Sequence, residues 1–314
     1  MAPPRGRNLS LATALLAALA LDAIFGEPPQ IWSRLRHPAI LAGQAISWLE
    51  QRYNRPQNQR AKGAAVLALL VAVAAFIGFA LAALPGRWSE IAVVAILLAQ
   101  RSLAQHVSAV AAALRLSLPD GRLAVAQIVG RDTAPMDEAD IARSAIESAA
   151  ENFSDGVLAP AFWFLIAGLP GILVYKVVNT ADSMIGHLTP RYANFGWAAA
   201  KFDDLLNWLP ARLSTLVIMP ELALRPAGWA NLKADAHQHR SPNAGWPEAA
   251  MARALGVALS GPRTYNGQRK DYPLVNKSGN RQIGAAEIDA ATARLWKAWW
   301  VMAGGVGLWA LFIG

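Results

Sequence analysis

Between Ala64 and Leu84 the chain runs for 21 residues without a charged side chain. At 1.5 Å per helical residue, such a run just covers a hydrocarbon core of about 30 Å. A helix through a bilayer is the direct reading, and it governs how every other segment is placed. Composition agrees. Of 314 residues 54% are apolar and 16% charged, against about 25% charged in an ordinary soluble domain. The 12 Trp outnumber the 9 Phe and the 5 Tyr, an excess that suits membrane interfaces. These figures exclude a disordered chain, an extended coiled coil and a typical nucleic-acid-binding domain, so no nucleic-acid partner is expected. The net charge of +8 points instead to membrane orientation or to anionic ligands. With no Cys, disulfides, thiolate catalysis, Cys-ligated zinc and iron–sulfur clusters all drop out.

The loop before this span carries Arg34, Arg36, Arg52, Arg55, Arg60 and Lys62, whereas the loop after it carries only Arg87. The positive-inside rule makes the first loop cytoplasmic. A return span is expected from Ile91 to about Val110, interrupted by Arg101 and His106, which should face protein or a polar cavity. Ahead of it, Arg5 and Arg7 precede an apolar run from Leu9 to Phe25. Ala18-Leu19-Ala20 imitates a signal-peptide cleavage site. The helical pattern nevertheless continues to Asp22, and Gly26-Glu27-Pro28-Pro29 reads as a helix stop, so the run is taken as a membrane helix, interfacial or spanning.

Gly156 to Val178 is apolar but divided by Gly168-Leu169-Pro170-Gly171. Each half is too short to cross alone, which fits a re-entrant hairpin. Leu209 to Leu224 is short and contains Arg212, Pro220 and Glu221. Ala298 to Gly314, after Lys297 and with Trp299, Trp300 and Trp309, reads as a terminal anchor. There is no internal repeat, low-complexity tract or β-hairpin series. The expected fold is all-α and polytopic, with a few spanning helices, the re-entrant hairpin and cytoplasmic helical and loop segments. Residues 1–314 read as one membrane-embedded domain. It comprises N-terminal membrane helices (1–110), a catalytic core (111–265) around the re-entrant segment 156–178, and a linker with the C-terminal anchor (266–314).

Polar residues gather at the edges of that hairpin. Asp137 is placed as the N-cap of a helix whose first turn holds Glu138 and Asp140. Ile141, Ala145, Ile146 and Ala149 form its apolar face, and Asp140, Ser144, Glu147 and Glu151 fall opposite, with Arg143 expected to offset Glu147. Asn152 and Asp155 follow at the membrane entrance, where oxygen-bearing side chains are costly unless a cation pairs with them. Past the hairpin come Lys176, Asn179, Asp182, Arg191, Tyr192, Asp203, Asp204, Asn207 and Arg212. Carboxylates and amides are the hard donors Mg²⁺ takes, and interleaved Lys and Arg suit phosphate or carboxylate. That mixture is what phosphoryl chemistry requires, although no Gly-rich phosphate loop is present. Further on, His237 and His239 stand at i and i+2, unsuited to a shared metal site on a helix. Ser241-Pro242-Asn243-Ala244-Gly245 is a turn, and Pro247-Glu248 opens a helix expected to reach Leu259.

Several strings resemble the adenosylcobinamide-phosphate synthase family, the CobD/CbiB proteins of cobalamin biosynthesis. They are Leu21-Asp22, Gly26-Glu27-Pro28-Pro29, His37-Pro38, Arg131-Asp132-Thr133, Glu147 through Gly156, and Tyr175-Lys176 through Met184. Arg191-Tyr192, Phe195-Gly196, Asp203-Asp204, Asn207, Pro210-Ala211-Arg212 and Ser241 to Gly245 match as well. The agreement runs in order from about Leu21 to Tyr265. The resemblance implies an ATP- and Mg²⁺-dependent ligase at the cell inner membrane, with its active site facing the cytoplasm. It would join the propionate of adenosylcobyric acid to aminopropanol or its O-phosphate. On that reading Asp182, Asp203 and Asp204 hold Mg²⁺, and Glu147, Glu151, Asp155 and Lys176 are catalytic. Arg131, Asn152, Asn179, Arg191, Tyr192, Asn207, Arg212, His239 and Asn243 contact substrate or ATP. Homo-oligomerisation, or association with other cobalamin-assembly proteins, stays open. Two alternatives stand beside the ligase: an Mg²⁺-dependent intramembrane prenyl or phosphoalcohol transferase, and a non-catalytic membrane sensor or assembly protein.

Overall fold

The computed structural model describes residues 9–312 except residues 225 and 266. Arg5 and Arg7, and the last residues of the expected terminal anchor, lie outside the described residues. The first helices are α1 (Leu11–Phe25), α2 (Pro29–Trp32), α3 (Pro38–Tyr53), α4 (Gln59–Ala82) and α5 (Trp88–Leu97). Next come α6 (Gln100–Leu116), α7 (Leu118–Val125), α8 (Glu138–Phe153), α9 (Ala159–Ile185) and α10 (Trp197–Ile218). After α11 (Pro226–Ala236) and α12 (Gly245–Leu255) lie four short strands, β1 (Leu259–Ser260), β2 (Arg263–Tyr265), β3 (Gln268–Lys270) and β4 (Leu274–Val275). The chain closes with α13 (Ala285–Phe312). The strands form two antiparallel pairs, β1 with β4 and β2 with β3. So little strand in so helical a chain makes this an all-α polytopic membrane protein, as expected. By length and composition, three helical stretches among the described residues suffice to cross a bilayer: Gln59–Ala82, Trp88–Leu116 and Glu138–Ile185.

The chain separates into two compact units, each discontinuous in sequence. Unit 1 comprises Met1–Ala99, Gly156–Asn207 and Ala303–Gly314; unit 2 comprises Gln100–Asp155 and Trp208–Met302.

In unit 1, α4 turns Val66, Leu67, Leu70 and Ala74 inward and leaves Leu69, Val73, Phe76 and Phe79 exposed. A helix apolar on both faces belongs in lipid. Its inner face packs on α9, which is broken at Ala167 (φ −136°, ψ 17°) and Gly168 (φ 61°, ψ −151°). Gly168 tolerates the left-handed conformation because it has no Cβ, and Pro170 cannot supply the next ladder hydrogen bond. Past the break the chain doubles back. A Cβ added to Gly171 would strike the Trp163 carbonyl, although along an unbroken helix those residues would stand about 12 Å apart. The re-entrant hairpin therefore forms, with its Leu169-Pro170 tip seated on Gly78 of α4. The expected return span forms as two helices instead of one. Leu98 is extended (φ −76°, ψ 155°) between α5 and α6, and Arg101 and His106 fall on α6. The first helix starts at the Ser10 cap and stops at Gly26 (φ 58°). Its 15 residues reach only about 22 Å, short of a full crossing.

In unit 2, Asp137 caps α8, with its side chain on the Asp140 N–H and the Asp140 side chain on the Asp137 N–H. Ile141, Ala145, Ile146 and Ala149 are fully buried, and α8 packs on α6, α7, α12 and β1. The α12 helix ends at Leu255, not at the expected Leu259, because Gly256 adopts the left-handed conformation (φ 68°). The residues beyond it become β1 to β4.

Candidate active-site clusters

Unit 1 builds one polar cluster where the second arm of α9 runs beside the start of α10. Asn179 Nδ2 donates to Asp203 Oδ1 (3.2 Å), and the Tyr175 hydroxyl donates to Asn207 Oδ1 (3.0 Å). Tyr175 and Asn207 are almost wholly buried and Asp203 nearly so. Burial, then the neighbouring Asp182, pushes the Asp203 carboxyl up to about 7; the amides of Asn179 and Asn207 pull it down and Asp204 adds to the rise. One oxygen of Asp182 occupies the place a Cβ at position 186 would take, so Gly186 is what lets that carboxylate turn back on its own helix end. Asp204 lies 3.6 Å from Lys201. The carbonyl of Lys176 accepts the Thr180 hydroxyl (2.7 Å).

Among the described residues no three His, Asp or Glu side chains form a ready-made metal cage. The donor set still suits a hard cation. Asp203 is flanked by like charges and held by amides, and Mg²⁺ ordinarily takes one or two carboxylates and completes its shell with water and phosphate oxygens.

Arg191 lies in unit 1 but is already engaged. It grips Glu50 of α3 with two nitrogens (3.0 and 2.9 Å). Asn54 Nδ2 bonds both Glu50 Oε1 (2.8 Å) and the Arg191 carbonyl (3.1 Å). This bond to Arg191 holds the Glu50 carboxyl below its ordinary range. The guanidinium also lies 5.4 Å from the Tyr192 ring. The pair fastens the segment after α9 onto α3.

Unit 2 builds a different cluster. Glu147, read from sequence as facing Arg143, is buried instead among other donors. Its Oε2 accepts from Arg131 Nη2 (2.6 Å) and lies 3.1 Å from Arg263 Nη2, while Oε1 accepts the Ser260 N–H (2.7 Å). Arg143 pairs with Asp140. Glu248, at 4% exposure, stands 3.8 Å from Arg263 and 3.7 Å from His239 Nε2. Burial, then Glu147, holds the Glu248 carboxyl well above its ordinary range, and Glu151 adds to the effect. Burial, then Arg263, lowers His239. Glu151 itself is exposed. Asn152 Nδ2 donates back to the Ser148 carbonyl (2.9 Å) and hydroxyl (3.1 Å), and Asp155 sits in the π-type turn Ser154–Leu158.

Arg212, also in unit 2, lies 4.4 Å from the Trp208 ring and 4.7 Å from the Trp246 ring. It donates to Asn243 Oδ1 (3.3 Å), so cation–π contact and a side-chain amide together fix its direction.

Sequence reasoning thus gathered Asn179, Asp182, Asp203, Asp204 and Asn207; it named Arg131 and Glu147 in separate roles and set Arg143 against Glu147. It missed Arg263, Glu248 and Ser260. Glu248 reads as an ordinary acid in a helix first turn, and no spacing links Glu248, Ser260 or Arg263 to Glu147, more than a hundred positions upstream.

The profile described as CobD/Cbib protein matches residues 15–295. A "Cobalamin biosynthesis protein CobD" of Brucella suis biovar 1 is 48% identical over 320 residues, covering 96% of this chain and 98% of its own. Proteins of the same name from Rhizobium meliloti and Rhodobacter capsulatus are 47% and 44% identical, across 92% and 85% of this chain and 93% and 88% of theirs. No solved structure matches.

Proposed function

The chain belongs to the CobD/Cbib family, whose relatives are cobalamin biosynthesis proteins, and from that premise we propose that it is an ATP-dependent carbon–nitrogen ligase acting on a corrinoid. The substrates on this reading are adenosylcobyric acid and aminopropanol or its O-phosphate. A carboxylate is a poor electrophile at neutral pH, so its oxygen must first attack the γ-phosphorus of ATP, releasing ADP. The amine nitrogen then attacks the acyl carbon, phosphate leaves and the amide forms. The observation that carries the reading is the buried Asp203 beside Asp182 and Asp204, a like-charged oxygen cluster held by amides.

Asp182, Asp203 and Asp204 would hold Mg²⁺. Asn179 gives its amide nitrogen to Asp203, which leaves its Oδ1 for the cation. When bound, Mg²⁺ offsets charge on the ATP phosphates. Lys176 would stabilise charge on the transferring group, and Arg212 stays a candidate for contact with substrate or ATP. Glu151 is exposed and takes the amine proton, whereas Glu147, held by three donors, orients Arg131 and Arg263. Arg191, gripped by Glu50, positions its loop. On this reading the basic stretch from Arg34 to Lys62 faces the cytoplasm, where ATP is available, and the membrane is the cell inner membrane. The hairpin returns the α9 residues to the side from which they entered, consistent with a site reached from the cytoplasm.

The deciding experiment incubates the purified protein in detergent with adenosylcobyric acid, ATP, Mg²⁺ and each amine in turn, following product by mass. Amide formed only with ATP is the expected result. Its absence with both amines would remove the ligase reading. A prenyl transferase would need more full spans around its lipid substrate than the three candidate stretches among the described residues supply, one of them holding the re-entrant hairpin, and a sensor leaves both clusters without a purpose.

A further inference from the structure

Unit 2 contains a cavity of about 310 Å³ walled by four guanidinium side chains, Arg131, Arg143, Arg263 and Arg269, together with Asp132, Asp137 and Asp140. The two kinds of charge are not equivalent there. Each aspartate already accepts from a nearby donor. Asp137 takes the Asp140 N–H (2.7 Å), Asp140 takes Arg143, and Asp132 takes the Gly267 N–H (2.7 Å). These bonds are structural: one caps α8, and Asp132 ties the turn between β2 and β3 to its own segment, helped by its N–H on the Thr264 carbonyl (3.0 Å).

The guanidinium groups retain donors. A guanidinium carries five N–H bonds, and Glu147 engages one nitrogen each of Arg131 and Arg263. The Arg263 side chain is 9% exposed and its Nη2 also donates to the Ser260 hydroxyl (3.2 Å), yet among the described residues its buried Nε has no hydrogen-bond acceptor. Arg269 stands opposite Thr264 across the β2–β3 pair, and the acid beside it is the exposed Asp271 at 3.4 Å. Apart from Pro135, Met136 and Pro262 the walls are polar or charged, with no aromatic ring to hold a base or a macrocycle. Each planar fork matches a pair of anionic oxygens, and several forks around one small polar space can engage a tetrahedral phosphate, whose oxygens point in several directions, at the same time.

We propose that this cavity is a phosphate-binding site, in which Arg263 and Arg131, held in place by Glu147, grip the phosphate oxygens while Arg143 and Arg269 close over it. The site stands on this geometry alone. The identity of the molecule carrying the phosphate rests on the ligase reading, which offers two sources, ATP and the O-phosphate of aminopropanol.

Binding is measured without turnover, by equilibrium dialysis of the full-length protein in detergent against labelled inorganic pyrophosphate with no corrinoid present. Saturable binding is expected, displaced by ATP, by aminopropanol O-phosphate or by both, and untouched by aminopropanol. Displacement by one alone assigns the phosphate to that source. Arg263→Lys keeps the charge and loses the fork, and should weaken binding roughly tenfold. Because that position is buried, Arg143→Gln and Arg269→Gln provide variants nearer the surface, each expected to weaken binding about three- to tenfold while thermal unfolding still reports a folded protein. Undiminished binding in a folded variant carrying both Arg143→Gln and Arg269→Gln, or no saturable binding to the wild type, would overturn the site. Phosphate binding without amide formation would keep the site and remove the ligase reading.

Discussion

The two polar clusters use the same residue types to opposite effect. In unit 1 the buried Asp203 has amides for hydrogen-bond partners and carboxylates for charged neighbours. In unit 2 the buried Glu147 has two guanidinium groups and a backbone N–H. The first sets amides and carboxylate oxygens around Asp203, the donor set the proposed ligase would use for a cation. The second is neutralised internally and keeps guanidinium donors to spare. Burial of an acid therefore does not by itself say whether the site binds or braces; the sign of what surrounds it does. The contrast can be broken by removing one charge at a time.

The largest effect on stability should come from Glu147→Gln, which takes from Arg131 and Arg263 the buried carboxylate that both engage. Removing one partner of a buried charge network costs about 3–5 kcal/mol, read as a fall in the unfolding midpoint in detergent. Glu248→Gln should by contrast cost less than about 1 kcal/mol, because burial beside Glu147 already favours the neutral acid. Equal losses in the two variants would show that the acids share the load and would erase the asymmetry within the cluster. In unit 1, Asp203→Asn replaces a buried acid among like charges by a neutral amide, so stability should hold or rise. ATP-dependent amide formation should fall on the order of a hundredfold or more. A variant that unfolds would mean Asp203 braces as Glu147 does, and one that turns over normally would remove it from the metal site.

Much of the first cluster was legible because its members are close in sequence. Asn179 and Asp182 share one helix arm, Asp203 and Asn207 stand a turn apart on α10, and the hairpin between the clusters announces itself through Gly168-Leu169-Pro170-Gly171. Helical spacing is enough to bring such residues together. The second cluster was half legible. The Asp137 cap and the apolar face of α8 follow from period and capping chemistry, but the partners of Glu147 arrive from β2 and from the segment before α8. No local rule specifies that pairing. The partner of Arg191 was hidden for the same reason: its sequence neighbours suit a phosphate, whereas Glu50, which it grips, is contributed by α3. The short strands beyond α12 were unreadable because two- and three-residue strands carry no period to detect.

A smaller effect separates the loop clamp from both clusters. Glu50 is held below its ordinary 4.5 by Arg191, so its contribution is present above that value and lost as pH falls through the folded one. Glu50→Gln should therefore make acid unfolding less steep below pH 4.5, with less effect at neutral pH than Glu147→Gln, since Arg191 remains largely in solvent. Loss of activity in Glu50→Gln at neutral pH, recovered by no change in substrate concentration, would move Arg191 from bracing the loop to the chemistry.

The finest test is the pH dependence carried by His239. Burial and Arg263 lower it from its ordinary 6.5, so the unfolded chain takes up a proton before the folded one does. Stability then rises with pH between the folded value and 6.5, is complete above that window and is lost as pH falls through it. One proton limits the slope to about 1.4 kcal/mol per pH unit. His239→Gln should flatten the unfolding midpoint across that window and leave it unchanged above pH 7. A slope that survives the substitution would mean the proton is taken elsewhere, with Glu248 opposing it: an acid held above its usual range favours folding as pH falls, the reverse of the sign expected from His239.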